Sequence, residues 1–160
     1  MTEEDEKFMT RAIELSEKTS MIDSAGGVFG TVIVQDGEII GEGANRVVAE
    51  NDPTWHGEIE AIRNACKTTG SFKLRNATLY TSAEPCPMCM AAAYWAGIKN
   101  IFYASTNGDA LEYGDFDDSM IYGEMKKPMA ERSIPSEQIM RTEAVEVWKK
   151  YKHKADRVPY

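Results

Sequence analysis

Cysteine is scarce in this 160-residue chain: Cys66, Cys86 and Cys89 are the three present. An odd count without framework spacing excludes a disulfide-stapled secreted scaffold and points to a reducing, cytoplasmic setting. Long apolar runs are missing as well. The longest, Met88 to Ile98, is about half of the ~20 residues that cross a bilayer, so no membrane association is expected. The first residues, Met1-Thr2-Glu3-Glu4-Asp5-Glu6, lack the positive charge of a secretory signal. Basic residues are outnumbered, 18 Lys and Arg against 26 Asp and Glu, for a formal net charge of −8. A surface of that sign suits phosphate backbones poorly, so nucleic acid is not the expected partner. Internal repeats and low-complexity stretches are also absent from the sequence.

What remains is the composition of one soluble domain, residues 1–160, with 42% apolar and 28% charged residues. A chain of this length buries roughly 70% of its unfolded surface without staples. Apolar spacing predicts an amphipathic helix over Glu3 to Lys18. Strands are expected at Val28 to Val34 and Glu38 to Asn45, joined by an Asp36-Gly37 hairpin turn. A loop over Glu50 to Thr54 precedes a helix from His56 to Cys66. A short strand at Ala77 to Thr81, a helix from Pro87 to Trp95 stopped by Gly97, and a strand at Lys99 to Ala104 follow. This alternation predicts α/β layering around one sheet. Residues 105–135 lack clear periodicity and read as a functional loop. Ser136 to Thr142 suggests a further strand, and Glu143 to Lys152 a terminal helix.

One constellation carries chemistry: His56-Gly57-Glu58, then Pro85-Cys86-Pro87-Met88-Cys89. Cys86 and Cys89 fall three apart at a helix start, on one face, where the positive helix end favours thiolates. Two thiolates and one imidazole give a three-ligand zinc site, which leaves a position for water. On a regular helix Glu58 is turned about 200° from His56. That offset suits a carboxylate reaching the activated water from the side, to move its proton. A structural zinc ribbon would lack its fourth ligand, and both it and a redox dithiol would leave Glu58 idle. His-x-Glu with Pro-Cys-x-x-Cys is the zinc deaminase signature, and hydrolytic deamination of an aminated heterocycle is the implied reaction.

Nearly end to end, the chain resembles the cytidine-deaminase-like zinc deaminases, and within them the small bacterial guanine deaminases. The matching stretches include Gly26-Gly27-x-Phe29-Gly30, Asn51-Asp52-Pro53-Thr54, Pro85 to Cys89 and Tyr94-Trp95-Ala96. Phe116-Asp117-Asp118-Ser119, Ile121-Tyr122, Glu131-Arg132 and Ile134-Pro135 complete them. The resemblance implies a three-layer α/β/α sandwich with a five-stranded mixed sheet. It also implies a Zn2+ cofactor on His56, Cys86 and Cys89, and Glu58 as the proton shuttle. Asn45 would hydrogen-bond the base, Phe29 would stack on it, and Asp118 would accept from its amino and ring N–H groups. A homodimer is implied, with the C-terminal segment, about residues 143–160, swapped so that Tyr160 covers the partner's pocket. The implied reaction is guanine to xanthine and ammonia. Cytosine, guanosine, another aminated heterocycle such as a triazine or pterin, and adenosine in tRNA are the alternatives.

Two departures adjoin the metal motif: Trp55 stands where a small residue is usual, and Gly57 where Ala is usual. Trp55 is either packing or pocket lining. Trp95 is either core or a substrate contact. Without the resemblance Phe29 would be core, Asn45 a turn cap, and Asp115, Asp117 and Asp118 a solvated acidic turn. Cys66 reads as a small buried hydrophobe. The run Lys149, Lys150, Lys152, His153, Lys154 and Arg157 reads as a solvated helix end.

Overall fold

A computed structural model describes residues 2–159. It divides into two units, residues 1–118 and 119–160. The first unit contains a four-stranded sheet in the order β2-β1-β3-β4, with β1 Gly30–Gln35, β2 Glu38–Ala44, β3 Thr78–Ala83 and β4 Asn100–Ser105. β1 is antiparallel to β2 and β3, and β4 is parallel to β3. The β1–β2 hairpin turns through Asp36 at φ 52° and Gly37 at φ 81°. Two consecutive positive φ angles make the turn whose twist matches paired strands, as the Asp-Gly dipeptide predicts.

Alternation along the central strands sends side chains to two cores. Val32, Val34 and Tyr80 meet Phe8 of helix α1 (Glu3–Glu17) on one face. Ile33 and Leu79 meet Ala61 and Ala65 of α3 (Gly57–Thr69) and Ala96 of α4 (Pro87–Ala96) on the other. Helices on both faces give the three expected layers. A one-turn helix α2 (Val47–Glu50) replaces part of the expected connector, and α1 runs on into a π-helical turn, Lys18–Ile22.

The fifth strand of the expected sheet is not formed among the described residues. Ser136 to Thr142 is irregular up to the start of α7 (Arg141–Lys152). Met140 adopts φ 50°, ψ 39°, which breaks an extended backbone, and Ile139 and Met140 are 74% and 66% exposed. The stretch expected as a loop, 105–135, instead holds α5 (Asn107–Gly114), α6 (Ser119–Lys126) and a 3₁₀ turn at Met129–Glu131. Thr106 and Asp109 cap α5 reciprocally, so a capping box, not apolar periodicity, sets its start.

The second unit, by itself, contains α6, the 3₁₀ turn and α7. Glu124 accepts from Lys127 and from the Ser133 backbone N–H, which folds residues 124–133 onto themselves. Those donors hold its carboxyl down at about 2. Tyr151 donates to the Val158 carbonyl at 3.2 Å. None of the unit's described residues is buried. Tyr160 lies outside the described residues. Among those described, no helix is long and apolar enough to cross a membrane.

α3 lies almost flush on β2 because Gly41 and Gly43 offer no side chain there. A Cβ on Gly43 would come within 2.3 Å of the Gly57 carbonyl and 2.4 Å of the Ala61 nitrogen. Backbone cannot yield as a flexible side chain does, so Gly43→Ala must push α3 off the sheet. The expected loss is about 2–3 kcal/mol of unfolding free energy in urea. An unchanged urea midpoint would refute this packing.

Candidate active site

The ends of two helices meet at the sheet's carboxyl end. His56 is the N-cap of α3 and Cys86 the N-cap of α4, each with extended backbone (ψ 156° and 167°). Pro87 at the first position of α4 fixes its start, and Cys89 stands in its first turn. His56 Nδ1 lies 3.5 Å from both Cys86 Sγ and Cys89 Sγ. A tetrahedral ion ~2.3 Å from sulfur and ~2.0 Å from nitrogen separates such atoms by about 3.5 Å. The donors thus stand at zinc spacing and are the one such His/Cys/acid group among the described residues. The residues present fit zinc.

Charge at this point is crowded. The Cys86 thiol is pushed down to about 4, first by a hydrogen bond from Cys89 and also by one from His56. Cys89 is pushed up, first by its bond to Cys86 and next by burial. The hydrogen bond to Cys86 raises His56. Glu58 is 4% exposed, and burial drives its carboxyl up. Cys89 Sγ donates to Glu58 Oε2 at 3.4 Å. Two thiols, an imidazole and a carboxyl gathered in one dry corner are a donor set that suits a cation.

Glu58 and His56 both line the same cavity. The 200° offset of a regular helix does not separate them, because His56 precedes the first helical residue and its extended backbone resets the direction. The cavity measures about 240 Å³. That is below the roughly 300–1,000 Å³ of drug-sized sites and suits one small heterocycle. Phe29, Asn45, Phe116, Asp118 and Glu84 are also in its wall.

Asn45 is 4% exposed. Its Oδ1 accepts from the N–H groups of Gly27 and Val47, at 3.1 and 3.2 Å. With the oxygen engaged, the side chain offers a cavity occupant its NH2 donor. It is a turn cap and a wall residue at once. Phe29 packs edge-to-face with Phe116, centroids 5.0 Å apart at 79°. Burial holds the Asp118 carboxyl above its usual range.

Trp55 and Trp95 are not in this wall. Trp55 lies beside it, its ring 5.6 Å from the Arg63 guanidinium. The Trp55 backbone donates to Asp52 and accepts from Arg46, at 3.1 and 3.0 Å, which anchors the loop that delivers His56. Trp95 is 65% exposed on α4, and its carbonyl accepts from Lys73. Cys66 is half-buried against the α3-side core, away from the cluster. The sequence gives Phe116 no role beyond its place in a matching stretch, and Glu84 none at all. Each adjoins a motif, Asp117-Asp118 or Pro85-Cys86, but a side chain's direction is not written in its neighbours.

Trp55 Nε1 is buried without a hydrogen-bond partner among the described residues. Trp55→Phe keeps the ring under Arg63 and removes that orphan donor, so stability should hold or rise by up to about 1 kcal/mol. Trp55→Ala should lose about 2–3 kcal/mol. Chemical denaturation of both variants tests this, and a Phe variant as damaged as the Ala variant would contradict it.

Comparison with known proteins agrees with the geometry. Residues 2–105 match the family model for the cytidine and deoxycytidylate deaminase zinc-binding region. A guanine deaminase of Bacillus subtilis (strain 168) is 48% identical over 155 residues, 97% of this chain and 98% of that protein. An X-ray structure of Bacillus subtilis guanine deaminase superposes with a TM-score of 0.93 at 47% identity, covering 100% of this chain and 99% of that one. A tRNA-specific adenosine deaminase of Haemophilus influenzae is 39% identical over 107 residues, 66% of this chain and 61% of its own length. The chain therefore belongs to the family of the cytidine and deoxycytidylate deaminase zinc-binding region.

Proposed function

We propose that this protein is a zinc-dependent aminohydrolase that converts guanine to xanthine and ammonia. The carrying observation is the joining of the His56, Cys86 and Cys89 cluster, through buried Glu58, to a cavity the size of one small heterocycle. The Bacillus subtilis relative, similar over nearly its whole length, supports guanine as the base. The tRNA deaminase similarity covers less of the chain, and the net charge of −8 opposes a large phosphate-bearing substrate.

His56, Cys86 and Cys89 hold the ion. When bound, zinc lowers the pKa of a coordinated water to about 7 and so supplies a nucleophile at neutral pH. Glu58 would carry both protons of the water in turn, the first to a ring nitrogen and the second to the departing amine. A C–O bond forms at the amino-bearing carbon, its C–N bond breaks, and ammonia leaves. Backbone N–H groups at the start of α4 steady the tetrahedral carbon's charge. Phe29 stacks on the base with Phe116 behind it, and Asn45 donates to an acceptor on its edge. Asp118 accepts from its amino and ring N–H groups, so bases lacking those donors leave a carboxylate unpaired and are rejected.

The working form is a cytoplasmic homodimer in which residues 143–160 swap and Tyr160 covers the partner's pocket. Two observations support it. The described part of residues 119–160 buries nothing, yet Met120, Ile134, Ile139 and Trp148 are each more than 60% exposed, and surface of that kind needs a cover. Charge is also divided: residues 1–118 hold 9 basic and 20 acidic residues, a net of −11, whereas 119–160 hold 9 and 6, a net of +3. A basic segment on an acidic body suits self-association.

Ammonia release from guanine, cytosine, guanosine, cytidine, adenine, a triazine and a pterin tests the substrate, with guanine expected to lead. An inert guanine beside another reacting amine would overturn that choice. Glu58→Gln should lower turnover at least about 10³-fold with one zinc per chain still bound; a near-normal rate would remove Glu58 from its role. Ending the chain after Thr142 should abolish activity and yield a monomer in sedimentation. An active truncated dimer would refute the swap.

A further inference from the structure

Glu84 has no role in the chemistry above, yet it stands between its two halves. It follows the last residue of β3 and precedes Pro85-Cys86, where the zinc turn begins. Its backbone N–H donates to the Ser105 carbonyl at 2.8 Å, across the parallel pair of β3 and β4. Its Oε2 accepts from the Asn107 N–H at 3.1 Å. Asn107 is the first residue of α5. The carboxylate thus sits on a helix N-terminus, where the exposed N–H groups and the helix dipole favour it.

α5 supplies Ala110 and, past its end, Phe116 and Asp118 to the cavity. Its C-cap, Asp115 at φ 57°, reverses the chain, and the Phe116 N–H returns to the Ala110 carbonyl at 3.2 Å. Phe116 and Asp118 therefore go where α5 goes. α5 buries none of its own residues, so its packing holds it weakly and a charge-assisted hydrogen bond at its start counts for more.

Resting on the guanine reading above, we propose that Glu84 is a positioning residue for substrate recognition: its carboxylate fixes α5, and with it Phe116 and Asp118, at a set distance from the zinc turn. Its carboxylate bonds the Asn107 N–H and makes no hydrogen bond to His56, Cys86, Cys89 or Glu58 among the described residues, so its removal should weaken the grip on the base and leave the chemical step alone.

The test compares zinc-loaded wild type, Glu84→Ala and Glu84→Gln. Glu84→Ala should raise KM for guanine, and the calorimetric Kd for 8-azaguanine, about tenfold, with kcat within about threefold and one zinc per chain. Glu84→Gln keeps an acceptor oxygen and should restore both values to within about threefold of wild type. Amide hydrogen exchange should quicken over residues 107–116 in Glu84→Ala and stay slow in α4. A lower melting temperature with KM unchanged, a fall in kcat alone, loss of zinc, or unchanged exchange in α5 would each overturn the proposal. A wild type inert on guanine defeats the substrate reading instead, and the exchange measurement still decides the role of Glu84.

Discussion

The site depends on two helix N-termini aimed at one point. Each presents a partial positive charge and unpaired N–H groups, and each carries at its cap a side chain able to bind a metal, His56 on α3 and Cys86 on α4. The donors lie 3.5 Å apart because the helices are held, not because the side chains reach. α3 is held by Gly41 and Gly43, which let it rest on β2 backbone to backbone. α4 is held by Pro87 at its start and Gly97, at φ 75°, at its end. Loosening either helix would spread the donors before any ligand was mutated.

Around that point the chain has gathered three acidic groups with one imidazole to answer them. Cys86, Cys89 and Glu58 are all buried. Such a cluster is unfavourable on its own and becomes favourable when a divalent ion joins it. The same corner keeps Glu58 away from water, a condition that suits a carboxyl for carrying a proton rather than resting as a charge.

Much of this was legible beforehand, for identifiable reasons. The hairpin at Asp36-Gly37, the layered α/β order and the metal motif are local signals, written in adjacent residues. The expected fifth strand was not, because Ile139 and Met140 resemble a strand in composition while Met140 adopts a left-handed backbone. α5 was missed because a capping box and not an apolar stripe defines it. The spacing of Glu58 from His56 does not give their relative direction, because His56 is an N-cap with extended backbone and not a helical residue. Trp55 and Trp95 each fit two roles by sequence, and neither residue is in the cavity wall. Phe116 and Glu84 reach that wall through tertiary placement, which no spacing encodes.

Asn45 binds two backbone N–H groups through its oxygen while its amide borders the cavity. Its rotamer is therefore frozen when the chain folds, and a ligand that meets it bears no entropic penalty for ordering it. The same economy removes freedom in another sense. A substitution at Asn45 disturbs the Gly27 turn and the start of α2 together with any contact it makes. Change of substrate over evolutionary time has an easier route through the α5 side, where Phe116 and Asp118 carry less of the fold.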